Sequence, residues 1–181
     1  MKNWLEHMGT EVMDSIQQKH LINYALLTVN RKIGDFGHTL CVGVGDGTEM
    51  GFIPDCEGID INDTSLRICQ EKGFSVQKMD MHKMTFKDNT FDLVFSKDSF
   101  EHAISPIEVM EQFARVSKKY VVIVVPNEEW QSDGFHLIIP TLKQMLSLAE
   151  KAGLVLVAYR EYNLLVNARS VFQALYIFQK L

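Results

Sequence analysis

Three glycines follow a short apolar run near residue 40, in a pattern suited to binding a ligand. The run LCV leads into Gly43, Gly45 and Gly47, so that glycine occupies every second position. Glycine permits positive φ angles and lets the backbone approach a ligand closely. A loop of this kind at the end of the first strand of a parallel sheet is a common cofactor site. A tight turn without a ligand would show the same spacing.

A carboxylate in the next segment strengthens the first interpretation. Asp60 ends the apolar stretch GIDI, where it could accept hydrogen bonds from both hydroxyls of an adenosine ribose. Dinucleotides are bound in the same way, so Asp60 does not by itself choose the cofactor. The dinucleotide fingerprint needs a third glycine at position 48, where this chain has Thr48. The pattern therefore favours a nucleoside that carries no pyrophosphate.

Two further candidate residues follow the next strand-like run, after the glycine loop and Asp60. Asp80 could accept a hydrogen bond from an adenine amino group, and the backbone N–H of Met81 could donate one to the ring. A solvated turn would place the same residues there. On their own, these two residues support the ligand and the turn equally.

The segments around these residues alternate between strand and helix patterns. Helical periodicity covers 4–33, 63–72, 105–119 and 141–152, and short apolar runs lie between most of these segments. Such alternation predicts an α/β domain with a parallel sheet. The last two runs, 154–160 and 170–178, have no helix between them and should pair antiparallel. We expect residues 1–35 to form a helical segment that packs on the core of a single domain, 36–181.

Composition excludes several classes of protein. The 181 residues are 46% hydrophobic and 23% charged, with a formal net charge of −5, which disfavours bulk binding to nucleic acid. Three widely spaced cysteines and scattered histidines form neither a disulfide framework nor a metal signature. No apolar run approaches the length of a membrane span. The sequence predicts a soluble cytoplasmic protein without a membrane anchor.

The order and spacing of these motifs, over about residues 36–178, resemble the class I S-adenosylmethionine-dependent methyltransferases. The similarity is greatest to the small-molecule branch, of methyltransferase type 11. The resemblance rests on the segments LCVGVGDG (40–47), GIDIND (58–63), MDMHKMTFKDNTFDLVFS (79–96), FEH (100–102), EQFARVSKK (111–119) and VVIVVPN (121–127). The resemblance implies a Rossmann-like sheet of seven strands, ordered 3-2-1-4-5-7-6 with strand 7 antiparallel, and helices on both faces. It also implies S-adenosylmethionine as the cofactor.

The resemblance further implies roles for individual residues in binding this cofactor. The three glycines would line its methionyl part and Asp60 would hold its ribose. The remaining implied contacts are Ile61 packing on adenine, Asp80 and Met81 at the adenine edge, and the backbone of Lys97 beside the cofactor.

The chain departs from the family pattern around the first strand. Cys41 stands where the family usually has an acid that orders the glycine loop and reaches the cofactor's amino end. Glu49 could replace that acid, although a plain preference for acids at helix starts is the simpler interpretation. Only a short helix, around TEMGFI, fits before Pro54.

The acceptor side carries weaker signals. The motifs of adenine, glutamine and cytosine methylation are missing, and the loop 126–140 offers Trp130, Phe135 and His136, which suit a small organic acceptor. If the acceptor is a hydroxyl, His136 is the first candidate base and His102 the second, although His102 is better suited to orienting its helix. Two alternatives remain, a noncatalytic interaction module with this fold and, less favoured, a nicotinamide-dependent oxidoreductase.

Overall fold

The computed structural model describes residues 15–127, 137–166 and 169–181. The helices are α1 (Ser15–Ile33), α2 (Asp63–Glu71), α3 (Pro106–Val116) and α4 (Leu142–Lys151). The strands are β1 (Thr39–Val42), β2 (Cys56–Asp60), β3 (Val76–Lys78), β4 (Phe91–Lys97), β5 (Ser117–Pro126), β6 (Leu154–Val166) and β7 (Arg169–Lys180). α-Helices precede β1 and separate β2 from β3, β4 from β5 and β5 from β6, whereas β3–β4 and β6–β7 are joined without a helix among the described residues.

The seven strands form one sheet in the order β3-β2-β1-β4-β5-β7-β6. All neighbours from β3 to β5 pair in parallel, and β7 pairs antiparallel with both β5 and β6. The expected strand order and the antiparallel end of the sheet are confirmed. Because β1 and β4 are neighbours while their chain connections leave on opposite sides, the sheet has its topological switch point between them.

Helices cover both faces of the sheet, as expected. On one face, Ala25 and Val29 of α1 pack with the buried side chains of Cys41, Leu93 and Val122. On the other, a second buried cluster joins α3 and α4 to alternate residues of the same strands, with Phe113, Met145, Val94, Val121 and Ile123 among its members. The central strands are buried on both sides, which explains their continuous apolar runs.

Connections differ in detail from the sequence expectation. The first crossover contains only a three-residue 3-10 helix, Met50–Phe52, in agreement with the short helix that was expected. The α3 helix ends at Val116 rather than near residue 119, and β5 begins at the next residue. Ser105 precedes α3 without a side-chain cap, although its sequence resembles a capping box.

The N-terminal helical segment is described only from Ser15 onwards, so residues 4–14 of the expected helix lie outside the described part. Within the described ranges, no helix combines the length and apolar character that crossing a bilayer requires.

A second 3-10 helix, Phe100–His102, follows β4 and contains a buried acid. The side chain of Glu101 is 1% exposed, and neither carboxylate oxygen has a hydrogen-bond partner within the described residues. Its backbone carbonyl accepts hydrogen bonds from the N–H groups of Leu137 and Ile138, at 2.9 and 3.1 Å, which join this helix to the segment before α4. Burial, followed by the nearby charge of Asp98, raises the pKa of Glu101 well above its ordinary value.

We therefore expect Glu101→Gln to stabilise the protein more at about pH 7.5 than at about pH 5. Between the ordinary pKa and the raised one, the folded protein retains a proton that the unfolded chain releases, so wild-type stability falls as pH rises through this window. Glutamine does not titrate, so the stability difference between variant and wild type should grow with pH, by up to about 1.4 kcal/mol per unit.

Urea unfolding at both pH values measures this difference. The exposed Glu111 on α3 supplies the matched control, Glu111→Gln. A Glu101→Gln difference that stays constant with pH would show that the carboxyl group titrates alike in both states.

Candidate functional site

The loops after β1 and β2 are joined by the carboxylate of Asp60. Its Oδ2 accepts a hydrogen bond from the backbone N–H of Gly45 at 3.0 Å, and its Oδ1 accepts one from Asn62 at 2.8 Å. The N–H groups of Gly43 and Val44 both reach the carbonyl of Ile59, at 2.9 and 3.3 Å. These bonds hold the glycine loop against the carboxyl end of β2.

The three glycines of the loop have different surroundings. Gly45, at φ +51°, has no atom of the described residues within 4 Å of the position that a Cβ would occupy. A Cβ on Gly43 would lie 1.9 Å from Oγ of Ser99, and one on Gly47 would lie 2.9 Å from Sγ of Cys69. Gly43 and Gly47 therefore permit close packing inside the protein, whereas no described residue crowds Gly45.

Beside Asp60, the chain turns outward and enters α2. Ile61 is a large apolar side chain that is 67% exposed. The next residue, Asn62, is the N-cap of α2 and accepts hydrogen bonds from the N–H groups of Thr64 and Ser65. The cap fixes the turn that leaves Ile61 on the surface. Asp63 is the first residue of the helix.

Asp80 and Met81 lie directly beyond β3, next to the end of β2. The N–H of Met79 donates to the carbonyl of Asp60 at 3.0 Å. Oδ1 of Asp80 accepts from the backbone N–H of His82 at 2.8 Å and lies 2.7 Å from its Nδ1. The backbone hydrogen bond from His82 lowers the pKa of Asp80 despite the opposing effect of burial. The N–H of Met81 has no acceptor among the described residues.

A polar network, buried except at Asp98, joins the end of β4 to β6 and β7. The ammonium group of Lys97 contacts Asp98 Oδ2, and Asp98 Oδ1 accepts a hydrogen bond from Gln173 Nε2 at 2.7 Å. Oε1 of Gln173 accepts one from the hydroxyl of Tyr162 at 2.9 Å. Asp98 has a φ of +49°, which is unfavourable for a non-glycine residue, so these contacts hold it in a strained conformation. The ring of Tyr162 lies 4.8 Å from that of Tyr24 on α1.

Lys97 also faces the connection between β1 and β2. Its Nζ lies 3.7 Å from Oε1 of Glu49, and the side chains of Lys97 and Glu49 are only 10% and 21% exposed. Burial alone would lower the pKa of Lys97, but Asp98 and Glu49 outweigh that effect and raise it. Burial raises the pKa of Glu49, and the Lys97 charge opposes this. The Cys41 thiol lies in the same region, and contact with the Cys56 side chain, then burial, raises its pKa.

Of the two candidate bases, the structure describes His102 and not His136. His102 is half-buried at the end of the 3-10 helix that follows β4. His136, together with Trp130 and Phe135 of the expected acceptor loop, lies outside the described residues. The described part contains no group of three His, Cys, Asp or Glu residues arranged to hold a metal ion.

Comparison with known families bears on this edge of the sheet. A family model described as a methyltransferase domain matches residues 40–125, which contain all of β2, β3 and β4 and most of β1 and β5. No curated protein matches the sequence.

Solved structures with the same fold have low sequence identity to this chain. An S-adenosylmethionine-dependent methyltransferase from Methanosarcina mazei is 15% identical with a TM-score of 0.71, over 85% of this chain and 97% of its own. A putative methyltransferase from Haloferax volcanii, solved with the Trm112 activator, is 13% identical with a TM-score of 0.76, over 91% and 92%. The [4+2]-cyclase SpnF is 16% identical with a TM-score of 0.71, over 90% and 82%.

The fold is thus shared by proteins of different activity, and the family match covers the strands that carry the glycine loop and Asp60. Over residues 40–125 the chain is thus similar to a methyltransferase domain, and it shares its fold with a solved S-adenosylmethionine-dependent methyltransferase.

Proposed function

We propose that this chain is an enzyme that transfers the methyl group of S-adenosylmethionine to an oxygen or nitrogen atom of a small-molecule acceptor. The observation that carries the proposal is the Asp60 carboxylate bound to the N–H of Gly45, at the edge where no described residue covers Gly45. This arrangement puts a ribose acceptor and an accessible backbone side by side.

The surroundings of Asp60 fit the nucleoside part of the cofactor. Each of its oxygens accepts one backbone hydrogen bond, which leaves acceptor capacity for the two ribose hydroxyls. The exposed Ile61 supplies an apolar surface for the adenine ring, and the N–H of Met81, which has no acceptor in the described part of the chain, supplies a donor for its edge. Asp80, with one oxygen held by His82, keeps its second oxygen for the adenine amino group.

The cofactor, when bound, supplies a methyl group on a sulfonium, which is already activated for displacement. The chain's own residues then need to position an acceptor and exclude water rather than activate a leaving group. Next to the post-β4 helix, Ile104 is 85% exposed and Leu137 is 58% exposed, so apolar surface is available for an organic acceptor. A base is required only if the acceptor loses a proton, and His136 and His102 are its candidates.

Binding through Asp60 is tested by Asp60→Asn. The amide keeps the size of the side chain but loses the charge that strengthens hydrogen bonds from ribose hydroxyls and from Gly45. We expect the affinity for S-adenosylhomocysteine, measured by calorimetry, to fall at least tenfold, since hydrogen bonds to charged groups contribute about 1.5–3 kcal/mol each.

The matched control is Asp63→Asn, since Asp63 is exposed and its side chain pairs with the exposed Lys78. It should bind like the wild type. A folded Asp60→Asn protein with unchanged affinity would remove Asp60 from the ribose site.

Catalysis is tested with the tritiated methyl group of S-adenosylmethionine. Label should pass into a small-metabolite fraction and not into a protein or nucleic-acid fraction. For a hydroxyl acceptor, His136→Ala or His102→Ala should lower kcat by about 10²–10⁴-fold and alter its pH profile. If both variants keep the wild-type rate and profile, the histidine base is wrong. Binding of S-adenosylhomocysteine without transfer to any fraction would favour the noncatalytic module.

A further inference from the structure

The carboxyl end of β1 lacks the negative charge that the family resemblance leads one to expect. Cys41 occupies that position, and its raised pKa keeps the thiol neutral. A neutral thiol makes only a weak hydrogen bond to an ammonium group. If the cofactor's amino end is bound here, another residue of this chain must provide the charge.

Glu49 and Lys97 provide charged groups in the same place. Together with Cys41 and Gly43, they line a cavity of about 10 Å³ beneath the glycine loop. A cavity of this size holds one water molecule at most. Its two charged walls are the carboxylate of Glu49 and the ammonium of Lys97, which lie 3.7 Å apart and are mostly withdrawn from solvent.

The contacts of Lys97 with its two carboxylates are not equivalent. Asp98 is in close contact with the ammonium and is itself fixed by Gln173. Glu49 is near the outer limit of direct contact, and within the described ranges its side chain caps no helix and makes no other ion pair. The Glu49–Lys97 pair is therefore the one that can open while Lys97 stays bound to Asp98.

The α-amino acid end of S-adenosylmethionine carries one ammonium and one carboxylate, which matches these two side chains. We propose that Glu49 binds the α-ammonium and Lys97 the α-carboxylate, so that the protein's ion pair is exchanged for two pairs with the cofactor. Every charge stays partnered during this exchange, which avoids the large cost of leaving a buried charge alone. Together, Glu49, Lys97 and Asp98 carry one net negative charge, which suits a cofactor with a sulfonium.

This inference rests on the proposed function, because it assumes that the carboxyl edge of the sheet binds this cofactor. It explains how the chain can bind S-adenosylmethionine with Cys41 in place of an acid. It also gives the side chain of Lys97 a role in binding the cofactor, where the family resemblance implied a contact with its backbone alone.

Three ligands that differ in their charged groups can show which part of the cofactor each side chain binds. S-adenosylhomocysteine has the whole amino acid, its decarboxylated analogue 5′-deoxy-5′-(3-aminopropylthio)adenosine keeps the ammonium alone, and 5′-deoxy-5′-methylthioadenosine has neither charge. Calorimetry gives the affinity of each ligand for the wild type, Glu49→Gln and Lys97→Met. The control variants are Glu57→Gln and Lys118→Met, which remove surface charges whose partners are His38 and Asp92.

Glu49→Gln should lower the affinity for S-adenosylhomocysteine and for its decarboxylated analogue at least tenfold, since removing one partner of a desolvated charge pair is costly. Lys97→Met should lower the affinity to that extent for S-adenosylhomocysteine alone. Methylthioadenosine should bind both variants as it binds the wild type, which also reports that they are folded. The control variants should bind all three ligands normally.

An equal loss of affinity for all three ligands, or no loss for any of them, would overturn the inference and leave Glu49–Lys97 as a structural ion pair. If a variant does not fold, Glu49→Asp keeps the charge with a shorter reach and should show the same selective loss to a smaller degree. A wild-type protein that binds none of the ligands would instead contradict the proposed function itself.

Discussion

The carboxylate of Asp60 is the contact on which the candidate site depends. It accepts hydrogen bonds from Gly45 and Asn62 and so fixes the glycine loop, the end of β2 and the start of α2 relative to one another. Without a charged acceptor here, the N–H of Gly45 would have no protein partner among the described residues, and the loop would lose its attachment to β2. The residue that orders the site is thus also the residue proposed to bind ribose.

The parallel sheet brings the remaining groups to the same edge. Because β1 and β4 are neighbours, Lys97 at the end of β4 lies beside the glycine loop, and Ser99 packs against Gly43. The antiparallel β7 brings Gln173 to Asp98 from a distant part of the sequence. Among the described residues, the buried charges at this edge are held by partners, except for Glu101, whose pKa is raised instead. This edge of the sheet therefore carries paired charges where the centre of the sheet carries close apolar packing.

Local patterns predicted the glycine loop, the place of Asp60 and the antiparallel end of the sheet, because each depends on a few consecutive residues. The strand order followed from the family resemblance. Local patterns could not predict the Asp98–Gln173 contact, whose members are 75 residues apart and meet only through the β5–β7 pairing. They also missed that Gly47 packs on Cys69 and that the Lys97 side chain turns inward, since both depend on tertiary contacts. The SpnF cyclase has the same fold, so the fold alone leaves the chemistry open.

The central claim is that this edge binds an adenosine carrying a charged amino acid and no pyrophosphate. Calorimetric titration of the wild-type protein with S-adenosylhomocysteine and, under the same conditions, with NAD tests it directly. The account predicts saturable binding of one S-adenosylhomocysteine per chain and no measurable binding of NAD. Saturable binding of NAD with no response to S-adenosylhomocysteine would contradict it.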